Sequence, residues 1–128
     1  MHTALALLAG PLFEHSPHAI LIADTNGVVR DVNAEFTRLT GYAREEIVGK
    51  TPRLLKSGQM PLEFYRTLWQ TVLSGQRWRN DILNRRKDGS LYWADEIIQP
   101  ITLDGETVLV SFQRDITELR RMREALDE

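Results

Sequence analysis

The sequence predicts an α+β domain: a five-stranded antiparallel sheet with helices on one face, flanked by a helix at each end of the chain. Three observations lead there. Asn-Gly and Asp-Gly pairs stand between β-prone runs, and these residues accept the positive φ of tight hairpin turns. One stretch, 61–74, repeats apolar residues at three- and four-residue steps, as a helix with one buried face does. The order of elements is two strands, short helices, one longer helix, three strands and an exit helix. That order suits helices segregated to one side of an antiparallel sheet.

The first strand is the apolar run Ala19-Ile20-Leu21-Ile22-Ala23, which Asp24-Thr25-Asn26-Gly27 turns into Val28–Val32. Asn33 then caps a helix through Phe36 and Leu39, three residues apart on one face, and Gly41 stops it. Ala43 to Ile47 reads as a further helical turn ending at Gly49, and Pro52 to Lys56 as a third before Ser57-Gly58. Pro61 suits the first turn of the longer helix, whose repeating residues are Leu62, Tyr65, Leu68, Trp69 and Val72. Trp78–Arg86, Leu91–Pro100 and Thr107–Ile116 are the last three strands, joined as a meander by Lys87-Asp88-Gly89 and Leu103-Asp104-Gly105-Glu106. From Thr117 the spacing turns helical again.

The chain has 128 residues, the size of one domain, with 42% hydrophobic and 27% charged residues, the balance of a folded globular protein. A net charge of -2 gives no electrostatic pull toward nucleic acid or an anionic membrane. The chain has no cysteine, which removes disulfides, cysteine-bound metals, iron–sulfur clusters and thiol catalysis, and fits a reducing, cytoplasmic setting. No apolar run approaches the roughly 18 residues of a membrane span, so no membrane insertion is expected. The stretch Ala4–Ala9 has no Lys or Arg before it. It reads as an amphipathic cap helix over residues 1–12, ended by Gly10-Pro11, rather than as a signal peptide.

Four motifs in order carry a resemblance. They are Asp24-x-x-Gly27 with Val32-Asn33, and Phe36-x-x-Leu39-Thr40-Gly41-Tyr42 continuing to Glu46-Ile47-x-Gly49. Arg86-Lys87-Asp88-Gly89-x-x-Tyr92-Trp93 and Asp115-Ile116-Thr117-Glu118 complete the set. Together they resemble the PAS domain over about residues 10–120. The resemblance implies a sensory module over 13–116, followed at 117–128 by the start of a signalling helix to an effector domain such as a histidine kinase or diguanylate cyclase.

The resemblance also narrows the ligand. In the light-sensing flavin branch a reactive cysteine follows the glycine matched by Gly49; here Pro52 stands at that place, so cysteinyl–flavin adduct chemistry is excluded. Haem-binding members use a histidine on the long helix; here all three histidines, His2, His15 and His18, precede the first strand, and only Met60 stands near that helix. Haem is therefore disfavoured. The run Thr51 to Gly58, Phe64-Tyr65-x-x-Leu68-Trp69, Trp78 and Asn84 to Gly89 are similar to the FAD-binding NifL-type branch, where the positions of Trp69 and Asn84 are associated with the flavin. FAD is favoured over FMN.

A flavin needs an apolar slot and a polar edge, and an inward strand amide both donates and accepts. Asn84 is the first such amide and Gln113 the second. Ser111, Gln113 and Asp115 share one strand face while Val110 and Phe112 share the other, and the alternation leaves open which turns inward. Trp69, Trp78, Phe36 and Leu54 are candidates for the apolar walls, and Arg53, with Lys56, for the phosphates of FAD. Trp93 is expected on the outer sheet face or at an interface.

Two other patterns are set aside. Gly49-Lys50-Thr51 imitates the end of a phosphate-binding loop, but Arg44 stands where its first glycine belongs. The acidic pairs Glu45-Glu46 and Asp95-Glu96 are adjacent, so their members diverge, and both pairs are expected on the surface. With no catalytic constellation, the chain reads as a regulatory module rather than an enzyme.

Leu119, Met122 and Leu126 form a short apolar stripe on the exit helix, and Leu5, Leu8 and Leu12 another at the N-terminus. A homodimer through both helices is expected; the alternative folds each stripe onto its own core. A second functional reading keeps the fold without a cofactor, as a module for dimerisation, protein contact or another small ligand.

Overall fold

The computed structural model describes residues 10–127. Within them the elements run α1 (Pro11–Glu14), β1 (Ala19–Asp24), β2 (Val29–Val32), α2 (Ala34–Thr40) and α3 (Arg44–Ile47). A single 3-10 turn (Pro52–Leu55) and α4 (Leu62–Leu73) follow, then β3 (Trp78–Arg85), β4 (Leu91–Leu103), β5 (Glu106–Asp115) and α5 (Thr117–Leu126). The five strands form one antiparallel sheet in the order β2-β1-β5-β4-β3.

The turns follow from their residues. Asp24 Oδ1 accepts from the backbone N–H of Asn26 and Val28 at 2.9 and 3.0 Å, closing the first hairpin over Gly27. Asp104 and Gly105 both adopt positive φ, 52° and 80°, as a two-residue turn matched to strand twist requires. Asn33 caps α2 through Phe36 N–H and also ties three other segments together. Its Oδ1 accepts from Ile20 N–H, and its Nδ2 donates to the carbonyls of Phe13 and His18.

Two expectations change. A short helix opens at Pro11, whose ring suits a first turn and lacks only an N–H that the turn leaves unpaired. Residues 1–9 of the expected cap helix, with Leu5 and Leu8, lie outside the described residues; Leu12 is 76% exposed. β4 continues past Pro100 to Leu103. Its pairing with β3 ends at Trp78↔Ile98, so Pro100 sits where β4 has become an edge on that side, which tolerates a missing N–H.

The sheet buries both faces unequally. Under α2, α3 and the 3-10 turn, Leu21, Phe36, Ile47, Leu55, Ile82 and Tyr92 make the main core. Under α4, Leu68, Val72, Trp78, Ile98 and Leu109 make a second cluster. On the opposite face Phe13 of α1 covers Ile20, Ile22, Val108 and Val110. That placement settles β5: Val108 and Val110 face outward, and Leu109, Ser111 and Gln113 face the helices.

α5 is held at its start. The Asp115 carboxylate accepts from Thr117 N–H and Oγ1–H through Oδ1, and from Arg86 through Oδ2 at 3.0 Å. Thr117 Oγ1 in turn accepts from Trp93 N–H. Arg120 stacks on the outward Trp93 ring, 3.8 Å from its centroid, and pairs with Asp81.

Candidate functional site

A cavity of about 330 Å³ lies between the sheet, the 3-10 turn and α4. Each wall has a local cause. β1, β3, β4 and β5 present alternate residues to it, among them Leu21, Ile82, Ile98 and Leu109. Residue Lys56, just after the 3-10 turn, makes an isolated bridge to Asn84, which ties that segment to the β3 edge. α4 contributes Tyr65, Leu68 and Trp69 at helical spacing. The β1–β2 turn closes the remaining side: a Cβ on Gly27 would stand 3.0 Å from Cη2 of Trp69, so the turn and the indole meet with no space for a side chain.

Of the residues singled out by sequence, Trp69, Asn84, Gln113 and Arg53 come together around the cavity, with Lys56 beside them. Asn84 and Gln113 are buried, and Trp69 is half-buried. Trp78, Phe36 and Leu54 lie outside its lining. Trp78 packs edge-on against Phe64, ring centroids 5.5 Å apart, beneath α4. Phe36 is fully enclosed in the main core. Leu54 is replaced by its neighbour Leu55, because successive residues of a 3-10 turn point a third of a turn apart.

The polar edge is a hydrogen-bonded chain. The Tyr92 hydroxyl donates to Oε1 of Gln113 at 2.9 Å, and Nε2 of Gln113 donates to Oε2 of Glu96 at 3.2 Å. Ser111 Oγ donates to the same oxygen at 2.5 Å. Glu96 corrects the surface placement expected for the pair Asp95-Glu96. The two do diverge, but only Asp95 points outward, where Arg79 and Arg114 pair with it. Glu96 shares the inward face with Tyr92, Ala94 and Ile98, and the period of two from those residues is the signal that marks it. Burial pushes its carboxyl above the ordinary range, opposed by the two donors. Burial and the Glu96 charge raise the Tyr65 and Tyr92 hydroxyls in the same way.

The Tyr65 hydroxyl is buried without a hydrogen-bond partner among the described residues. Lys56 Nζ lies 4.2 Å from the centroid of the same ring. The cavity thus combines apolar walls, a flat indole, two inward amides, a carboxyl and an orphaned hydroxyl, with two cations in the 3-10 region. This donor and acceptor set fits a planar heteroaromatic ring that carries carbonyls and ring nitrogens on one edge. Among the described residues no group of acids and histidines could hold a metal ion, and no helix is long and apolar enough to cross a membrane.

A family model described as "PAS domain" matches residues 17–118. The nitrogen fixation regulatory protein of Klebsiella oxytoca is 38% identical over 108 residues, covering 83% of this chain and 22% of that protein. Blue-light-activated histidine kinase 1 of Erythrobacter litoralis is 38% identical over 90 residues, covering 69% of this chain and 25% of that protein. Among solved structures, an RNA-binding light-oxygen-voltage receptor superposes with a TM-score of 0.83 at 27% identity, over 96% of this chain and 36% of that one. The chain thus spans about a quarter or less of the length of these curated relatives.

Proposed function

This chain belongs to the PAS domain family, the sensory modules of signalling proteins, and we propose that it is a flavin-binding member, with FAD as the cofactor. The single observation that carries this reading is the meeting of Trp69, Asn84 and Gln113 around one cavity. Asn84 and Gln113 would hold the polar edge of the ring, Trp69 its flank, and Arg53 and Lys56 the phosphates that make FAD the fit rather than a bare ring. The similarity to a nitrogen fixation regulator and a blue-light-activated kinase supports the same class of sensor.

When bound, the flavin supplies redox chemistry and a visible chromophore. The residues of this chain exclude water, orient the ring and set the hydrogen bonds at its edge. The absence of cysteine directs the reading toward redox state, or light without a thiol adduct. A change at Gln113 has a short route to the exit helix, since Gln113 and Asp115 lie on one face of β5 and Asp115 caps Thr117. The exposed stripe of Leu119, Met122 and Leu126 suits a parallel homodimer that continues into an effector domain.

The absorption spectrum of the freshly purified protein, with mass analysis of what heat releases, tests this reading. Flavin bands and an FAD mass are expected. A colourless protein that also fails to take up added FAD would leave the contact-only module as the function.

A further inference from the structure

Glu96 is the only buried acid among the described residues. Its two hydrogen-bond donors, Ser111 and Gln113, are neutral, and the arginines nearest in sequence register serve Asp95 on the other face. A buried carboxyl without a cation costs stability, and an apolar residue among Ala94, Ile98 and Ile82 would pack there at no such cost. The group nonetheless lines the cavity.

The groups that face it can be named by element. β5 contributes Ser111 and Gln113, and β3 contributes Asn84. Tyr92 lies on its own strand, and α4 brings Tyr65. Arg53 and Lys56 of the 3-10 region line the same cavity but are exposed. Both tyrosine hydroxyls are pushed up and stay neutral, so Glu96 is the member of this set that changes charge.

We propose that Glu96 is the proton-exchanging side chain of the cavity, gaining a proton from solvent when a bound flavin ring takes up negative charge and releasing it when that charge leaves. The inference rests on the flavin reading above. Both donors fall on Oε2, so the proton enters at Oε1 while Oε2 keeps its two bonds as the carbonyl oxygen. The electrons reach the ring from an external reductant, and no bond of the protein other than O–H forms or breaks. In the acid form Oε1–H is a donor toward the ring edge; in the carboxylate form Oε1 is an acceptor. The edge that meets the cofactor thereby changes sign with its redox state.

The experiment reduces the FAD-loaded protein with dithionite in weak buffer. It reads proton uptake with an indicator dye and records the reduced-minus-oxidised infrared spectrum. Wild type is expected to take up as much as one proton more per flavin than Glu96→Gln, and to gain the carbonyl band of a protonated carboxylic acid that Glu96→Gln lacks. Ser111→Ala, which keeps the carboxyl but removes a donor that favours its ionised form, should move the uptake step to higher pH. Equal uptake and the same band in FAD-loaded wild type and Glu96→Gln would overturn the proposal while leaving the flavin reading intact. A wild-type protein that holds no FAD would overturn both.

Discussion

The Tyr92 hydroxyl donates to Oε1 of Gln113, and this bond decides which way the amide faces. With Oε1 committed to Tyr92, Nε2 turns to Glu96. Tyr92→Phe removes the donor and leaves a buried carbonyl oxygen without a partner, which costs about 1–3 kcal/mol. Urea denaturation of the two proteins measures it. A difference below about 0.5 kcal/mol would show that the amide finds another arrangement at no cost.

Asn84→Ala and Trp69→Ala should each weaken FAD retention. Loss of one or two hydrogen bonds at Asn84 corresponds to roughly a tenfold rise in Kd. Trp69→Ala removes the flank of the slot and should cost at least as much. Fluorescence titration with FAD reads both, and unchanged affinity in the pair would remove these residues from the site.

Asn33→Ala should be among the most damaging single changes outside the cavity. It removes an N-cap and leaves the Ile20 N–H and two carbonyls without their partner. A loss of about 3 kcal/mol or more is expected in urea.

Much of this architecture was legible in the residues themselves. Asn26-Gly27 and Asp104-Gly105 can hardly be anything but turns, and Asn33 before Phe36 marks its helix start because a side-chain oxygen there has free N–H groups to meet. The amides Asn84 and Gln113 could be nominated because strands place alternate residues on one face. Which face turned inward was not legible on β5, since both faces mix apolar and polar residues, and only the packing of Phe13 against Val108 and Val110 decides it. Glu96 was misplaced because a charged residue beside another suggests solvent. The alternation with Tyr92, Ala94 and Ile98 outweighs that. Trp78 and Leu54 fell outside the cavity for reasons of helical phase and depth that spacing alone does not carry.

Stability should depend on pH through Glu96. Burial raises its carboxyl in the folded protein above the unfolded value. In the window between those two values the folded state binds more protons, so stability is full below the window and falls as pH rises through it. Glu96→Gln should flatten that fall and gain on wild type toward neutrality. Urea midpoints across a pH series measure it, and parallel curves for the two proteins would show that Glu96 titrates alike folded and unfolded.

Leu119→Glu places a charge in the exposed stripe of α5, where Met122 is 58% exposed and Leu126 85%. If this stripe joins two copies, the variant should shift the mass measured by light scattering toward monomer. An unchanged dimer would remove α5 from the interface.

The three tryptophans stand at three separate stations: Trp69 at the cavity, Trp78 in the core under α4, and Trp93 beneath Arg120 at the root of α5. The protein therefore carries its own optical reporters. Replacing Trp69 and Trp78 with Phe would leave one indole, whose emission depends on the guanidinium stacked upon it. Its colour and lifetime would register each lifting of the exit helix in real time, without an attached dye.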